Sequence, residues 1–173
     1  MTRIRRLHQN DYYNGYLHLL ASGFTLEPDT ISLKQFQDYV HNLNHSDTSR
    51  GSNINQHIFV IDELSSVNRG GSITDTIVKS KLIASATVNI HNVLIHNMNK
   101  VAHIEDVVVD SAMRGRGLGK DIIDYCVKYS REQGCYKCIL NCSLDNVNFY
   151  EKCGIEYGGF QKNGTHMSIY FDD

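Results

Sequence analysis

Between Val107 and Lys120 the chain reads Val-Val-Val-Asp-Ser-Ala-Met-Arg-Gly-Arg-Gly-Leu-Gly-Lys: a β-forming run, a basic glycine turn and the start of a helical pattern in immediate succession. Glycines let a ligand approach the main chain closely, and the unpaired N–H groups at a helix N-terminus attract anions. Arg114, Arg116 and Lys120 add positive charge around Gly115, Gly117, Leu118 and Gly119. The chemistry on offer is phosphate or pyrophosphate binding; the plain alternative is a flexible basic turn that happens to hold three glycines. A P-loop is excluded, because Arg114 stands five residues before Gly119 and Asp121, not Ser or Thr, follows Lys120. A dinucleotide fingerprint is excluded too, since the spacing is G-x-G-x-G rather than G-x-G-x-x-G.

Three further sets of residues offer chemistry. Glu105 and Asp106 are adjacent in the run His103-Ile-Glu-Asp-Val-Val-Val, so the pleat of a strand is expected to send them to opposite faces, one of them otherwise Val and Ile. A carboxylate there needs a partner, either a structural ion pair or a ligand. Tyr150, in Asn146-Val-Asn-Phe-Tyr-Glu-Lys, is either a packed aromatic with one polar handle or a proton donor. Cys135-Tyr-Lys-Cys138 has C-x-x-C spacing, but no second ligand pair accompanies it and it enters a strand instead of opening a helix, so small buried side chains explain it better than zinc or redox chemistry. No metal site is expected.

Arg114-Gly-Arg-Gly117-Leu-Gly119, directly after a strand and opening a helix, resembles the acetyl-CoA signature Arg-x-x-Gly-x-Gly of the GNAT N-acetyltransferases. Lys100 to Asp110, Gly134-Cys-Tyr-Lys137, Ile139-Leu-Asn-Cys142 and Asn148-Phe-Tyr-Glu-Lys-Cys-Gly154 narrow the resemblance, over about Leu94 to Gly154, to the glucosamine-6-phosphate N-acetyltransferases within that superfamily. The resemblance implies a GNAT α/β fold. It implies acetyl-CoA as cosubstrate, held by the backbone of Val107, Val108 and Val109, by Arg114 to Lys120 and by Asn146 and Tyr150. Sugar contacts are implied at Thr25, His96, Glu105, Asp106, Tyr136, Lys137 and Asn141, although His96 is equally explained as a turn residue. The matching tyrosine protonates the departing CoA thiolate, so the catalytic set is Tyr150 with Glu105 and Asn141; a phenol can act as that acid at neutral pH.

This chain departs from the family in one place that bears on chemistry: Asn141 stands where the family has Asp. A neutral amide keeps hydrogen bonds but neither attracts an ammonium nor takes its proton. The C-terminal run also lacks an arginine that relatives use to hold the sugar phosphate across a dimer, for which Lys162 or His166 is a substitute. The resemblance implies a homodimer, with Ile169, Tyr170 and Phe171 favouring burial. Two other readings keep the anion site: a GNAT enzyme for another amine or a protein, and a non-catalytic acyl-CoA or phosphate sensor.

The elements that must position these residues follow from periodicity. A strand is expected near Arg3 to His8, then a helix from Asp11 carrying Tyr16, Leu17, Leu19 and Leu20. Ser32 and Gln35 form a capping box for a second helix. His57 to Ile61 and Lys81 to Ile90 read as an antiparallel pair, Val101 to Val109 as the next strand, and Leu118 to Tyr129 as a helix stopping at Gly134. Lys137 to Cys142 is strand and Asn146 to Lys152 a short helix closed by Gly154, with two more strands near Tyr157 to Phe160 and His166 to Phe171. The order predicts an α/β domain with a mixed, mostly antiparallel sheet flanked by about four helices.

The 173 residues make one domain, 1–173, decorated by polar loop insertions near 44–55 and 65–80. With 41% hydrophobic and 21% charged residues it is globular, and 17 basic against 19 acidic residues, well mixed, argue against a nucleic-acid surface. No run approaches the 18 or so apolar residues of a membrane span and no apolar signal core follows Met1, so the expected location is the cytoplasm. Five cysteines, all in the C-terminal third, suit a reducing compartment.

Overall fold

The β-branched runs of the chain's middle pair into one sheet. In the computed structural model, which describes residues 2–44, 55–68, 76–165 and 167–169, five strands lie in the order β1 (Thr2–Arg6), β2 (Asn55–Asn68), β3 (Thr76–Asn92), β4 (Lys100–Val109) and β5 (Cys135–Leu140). Neighbours are antiparallel except β4 and β5, whose parallel pairing needs a crossover. That crossover is α4 (Leu118–Glu132).

Both faces of the sheet are covered, which is why β2 and β3 carry long apolar runs instead of strict alternation. On one face Leu118, Ile122, Ile123, Cys126 and Val127 of α4 pack on Phe59, Ala84, Ala86, Val88 and Ile104. On the other, Tyr16, Leu17 and Leu19 of α1 (Tyr16–Ala21) and Phe36 and Val40 of α2 (Leu33–Asn44) cover Ile58, Val60, Leu82 and Val108. The capping box holds: Ser32 N–H donates to Gln35 Oε1 at 2.9 Å and Gln35 N–H to Ser32 Oγ at 3.3 Å. Near the β1 edge Arg5 bridges two buried carboxylates, Asp11 at 2.7 Å and Asp62 at 2.9 Å, which gives those charges the partners burial demands.

Several expectations are corrected. Residues 65–68 and 76–80 are not loop: the β2–β3 ladder continues from Leu64↔Ser80 to Asn68↔Thr76, because its bonds come from the main chain and Val67, Thr76, Ile77 and Val78 favour strand. Residues 69–75 of that insertion, and 45–54 of the other, lie outside the described residues. The first helix splits into a 3₁₀ turn, Gln9–Tyr12, and α1, with left-handed Gly15 (φ 82°) between. The strand expected at Tyr157 to Phe160 is absent. Gly154, Gly158 and Gly159 adopt φ of 64°, 99° and 72°, and Ile155–Tyr157 is a 3₁₀ turn that such left-handed residues open and close. Residues 167–169 are not strand either, and His166, Tyr170 and Phe171 lie outside the described residues.

Candidate active site

The central feature is a break in β4. Its register with β3 passes from Ser85↔Val108 to Thr87↔Glu105, so Asp106 and Val107 oppose Ala86 alone, a β-bulge. Asp106 takes φ 51°, a left-handed conformation unusual for a residue with a Cβ. The bulge overturns the expected split of the two carboxylates. Glu105 and His103 alternate with Ala102 and Ile104 of the α4-side core and therefore face the α1–α2 side. The exposed Asp106 bears on that side as well, its charge helping to raise the pKa of Tyr39 after the larger effect of burial. Neither carboxylate is buried among Val and Ile.

Beyond the bulge β4 loses its other neighbour, since its pairing with β5 ends at Ile104↔Leu140. Asp110 N–H donates to Ile83 C=O at 2.9 Å, on the β3 side. Alternation along an extended strand then turns the N–H groups of Val109 and Val107 the opposite way, where β5 has ended. The result is a short row of backbone donors at a gap in the sheet.

That row leads into the glycine turn. Asp110 accepts from Lys81 Nζ at 2.7 Å and from Ala112 N–H at 2.9 Å; these bonds, the lysine's first, hold its carboxyl below the usual range. Gly115 and Gly117 have φ of 78° and 81°, and Gly117 is the N-cap of α4, so the helix begins with no side chain over its first amides. The cations are more occupied than the sequence suggests. Arg116 reaches Glu63 at 3.2 Å, Lys120 pairs with Asp124, and Arg114 Nε donates to Val109 C=O at 3.4 Å. A Cβ on Gly119 would stand 3.1 Å from Phe149 Cζ and 3.6 Å from Val109 Cγ2, so this glycine lets α5 (Val147–Tyr150) lie over the helix start. Gly154 N–H donates to Asp124 Oδ1 at 2.7 Å and ties the end of that segment to α4.

Tyr150, on α5, is half-buried against the α4-side core with its ring edge-on to Phe149. Burial, and then Cys142 and Cys153, push its phenol above the ordinary value, so it holds its proton. Asn146 is exposed at the N-cap of α5.

On the α1–α2 side of the gap a polar chain crosses three segments. Asn89 Nδ2 donates to Glu105 Oε2 at 2.7 Å, His103 Nδ1 lies 3.1 Å from Glu105 Oε1, and Asn141 Nδ2 is 3.2 Å from His103 Nε2. Asn89 is 7% exposed, yet its Oδ1 has no hydrogen-bond partner among the described residues. Asn89 and His103 were not singled out from sequence. The signal was present in principle, as polar residues at paired positions (Asn89↔His103) of runs otherwise apolar.

The remaining expected sugar contacts do not all join this chain. Thr25 is exposed, two residues past Gly23, whose Cβ position lies 2.9 Å from Val108 Cγ2; only glycine allows that loop to approach the bulge so closely. His96, Tyr136 and Lys137 gather elsewhere: the His96 and Tyr136 rings are 4.3 Å apart and Lys137 Nζ lies over the Tyr136 ring. Tyr136 sits at the start of β5 and Asn141 just past its end, about 16 Å apart at the usual strand rise. Tyr136 and Lys137 line a cavity of about 460 Å³ beside the C-terminal end of α4. His96 itself has φ 54° in α3 (Ile95–Met98), the turn before β4. The cysteines are unpaired thiols, and no group of three or more metal-binding side chains occurs among the described residues.

Comparison with known proteins supplies independent findings. The acetyltransferase (GNAT) family model matches residues 37–155. A glucosamine 6-phosphate N-acetyltransferase of Arabidopsis thaliana is 45% identical over 92 residues, 53% of this chain and 58% of that protein. The chain thus spans little more than half the length of that relative. The Candida albicans enzyme of the same name is 31% identical over 157 residues, 91% of each chain. The crystal structure of the Arabidopsis thaliana enzyme superposes with a TM-score of 0.78 at 32% identity, over 99% of both chains.

Proposed function

The chain belongs to the acetyltransferase (GNAT) family, and from that premise we propose that it transfers acetyl from acetyl-CoA to the 2-amino group of glucosamine 6-phosphate, yielding CoA and N-acetylglucosamine 6-phosphate for UDP-N-acetylglucosamine synthesis. The observation that carries this reading is the continuity of donors from the Val107–Val109 edge to the first turn of α4, ending beside the polar chain at Glu105. A thioester carbonyl fits the first and a pyrophosphate the second, and both need main-chain N–H groups.

In this reading the Val107 and Val109 amides polarise the thioester carbonyl and bind the oxyanion that forms when the amine attacks. Gly115 to Lys120 hold the pyrophosphate, with Arg114 nearby and Arg116 supplying its backbone. Glu105, Asp106 and Asn141 orient the sugar, Thr25 closes over it, and Tyr150 gives its proton to the departing sulfur. The sugar amine ionises only modestly above neutrality, so water or a backbone carbonyl suffices to take its proton.

Tyr136 and Lys137 lie about 13–16 Å along β5 from Asn141, and His96 stacks on Tyr136, which supports a homodimer in which they serve the partner's site. Light scattering is expected to give twice the chain mass at micromolar concentration; a monomer with full activity removes the dimer. No helix among the described residues is long and apolar enough to cross a membrane, and a cytoplasmic location is proposed with the pathway. The deciding experiment is thiol release from acetyl-CoA. The reading expects release that depends on glucosamine 6-phosphate. Release driven only by other amines reassigns the acceptor, and binding without release leaves a sensor.

A further inference from the structure

Three segments meet at His103 and one question is open there: what fixes the amide of Asn141. Glu105 is acceptor-only when ionised and its Oε1 lies 3.1 Å from Nδ1, so its charge favours the tautomer with the hydrogen on Nδ1. Nε2 then keeps its lone pair in the neutral ring, and Asn141 meets it with Nδ2, a donor, at 3.2 Å. The same logic runs on the other side of the carboxylate. Asn89 spends Nδ2 on Glu105 Oε2, and its buried Oδ1 is left without a partner. A buried acceptor with no donor is costly unless a ligand supplies one.

We propose that His103 is a positioning residue for the acceptor: it takes Nδ2 of Asn141 and thereby presents Asn141 Oδ1, alongside the Glu105 carboxylate, to the amine and hydroxyl donors of a polyhydroxy amine. The inference rests on the amino-sugar reading and deepens it. It also gives Asn141 a role a carboxylate in its place would not have, since an acid there offers Nε2 no N–H and the ring would need its second hydrogen to keep the contact. His103 touches no reacting atom in this account; it acts through Asn141 and Glu105.

The test has two arms on the intact protein. Long-range ¹⁵N–¹H spectra of the His103 ring at neutral pH are expected to show the Nδ1–H tautomer, and hydrogen on Nε2 overturns the proposal whatever the enzyme does. In kinetics, His103→Phe is expected to raise KM for glucosamine 6-phosphate about tenfold or more, with KM for acetyl-CoA and Tm little changed. In an Asn141→Leu background the same change is expected to raise KM by less than it does in the wild-type chain, because only the contact with Glu105 is left to lose. A full effect in that background, or equal rises in both KM values, overturns it. Failure of the wild-type chain to acetylate glucosamine 6-phosphate defeats the functional reading instead, and the tautomer still decides the role of His103.

Discussion

The two halves of the site are built from different material. The half proposed for the acyl carrier is main chain: two strand amides freed where β5 ends, a glycine turn, and the open first turn of α4. The half proposed for the acceptor is side chain: Asn89, His103, Glu105 and Asn141, brought from β3, β4 and the end of β5 into one chain of polar contacts. Main-chain donors need only the right backbone path, so a handful of consecutive residues writes them. A side-chain chain depends on register among strands up to about fifty positions apart in sequence, and one residue of slip would turn each member to the other face. The first kind of site tolerates change in its side chains; the second does not.

Tyr150, the proposed acid, should show the largest effect. Tyr150→Phe keeps the ring against Phe149 and removes one hydroxyl. Loss of the acid predicts a fall in single-turnover rate on the order of 10² or more, with both KM values and Tm nearly unchanged. Because burial raises the phenol's pKa, wild-type chemistry should persist to a pH above the ordinary phenol value of about 10 before the proton is lost, and the variant should lack that alkaline limb. A stability loss of about 1 kcal/mol with normal turnover would instead make the residue packing alone.

Next comes Gly117→Asp, which breaks the main-chain half. A side chain at φ 81° is strained, and its carboxylate would face the phosphate proposed to bind there. CoA at a hundredfold excess over its dissociation constant stabilises a selective binder by about 2.7 kcal/mol, a shift of several degrees in a domain this size. The folded variant should lose that shift while still binding the sugar product. Retention of the full shift places the pyrophosphate elsewhere.

Glu105→Gln sharpens the other half at smaller cost. The amide keeps Asn89 or His103 as a neighbour but not both as donors, so KM for the amino sugar should rise roughly tenfold with the CoA-dependent shift intact. Equal losses on both substrates would mean the halves are not separable.

The same contrast explains what the sequence made legible. The glycine turn, the Ser32–Gln35 capping box and the helix of α4 are local patterns, and all three stand where periodicity and spacing put them. The bulge was hidden because Asp106 is not a glycine, and nothing local announces φ 51° at an aspartate. His103 was hidden because a histidine two residues from a glutamate acquires meaning only when β3 and Asn141 arrive beside it. The hairpin extension at 65–68 and 76–80 looked like loop because it is rich in Ser, Thr and Asn, although main-chain bonds and its Val67, Ile77 and Val78 carry the ladder on. At Tyr157 to Phe160 the apolar residues suggested a strand, and three left-handed glycines, 154, 158 and 159, decided otherwise.

The central claim is that each ligand is held by a different kind of group, and NMR titration of the two ligands one at a time tests it most directly. CoA alone should shift and protect the amides of Val107, Val109 and residues 115–120 and leave the side-chain signals of His103 and Asn141 nearly unmoved. N-acetylglucosamine 6-phosphate alone should do the reverse. If CoA protects no amide between Val107 and Lys120, or the sugar leaves His103 and Asn141 unperturbed at saturation, the account is wrong about what the site is made of.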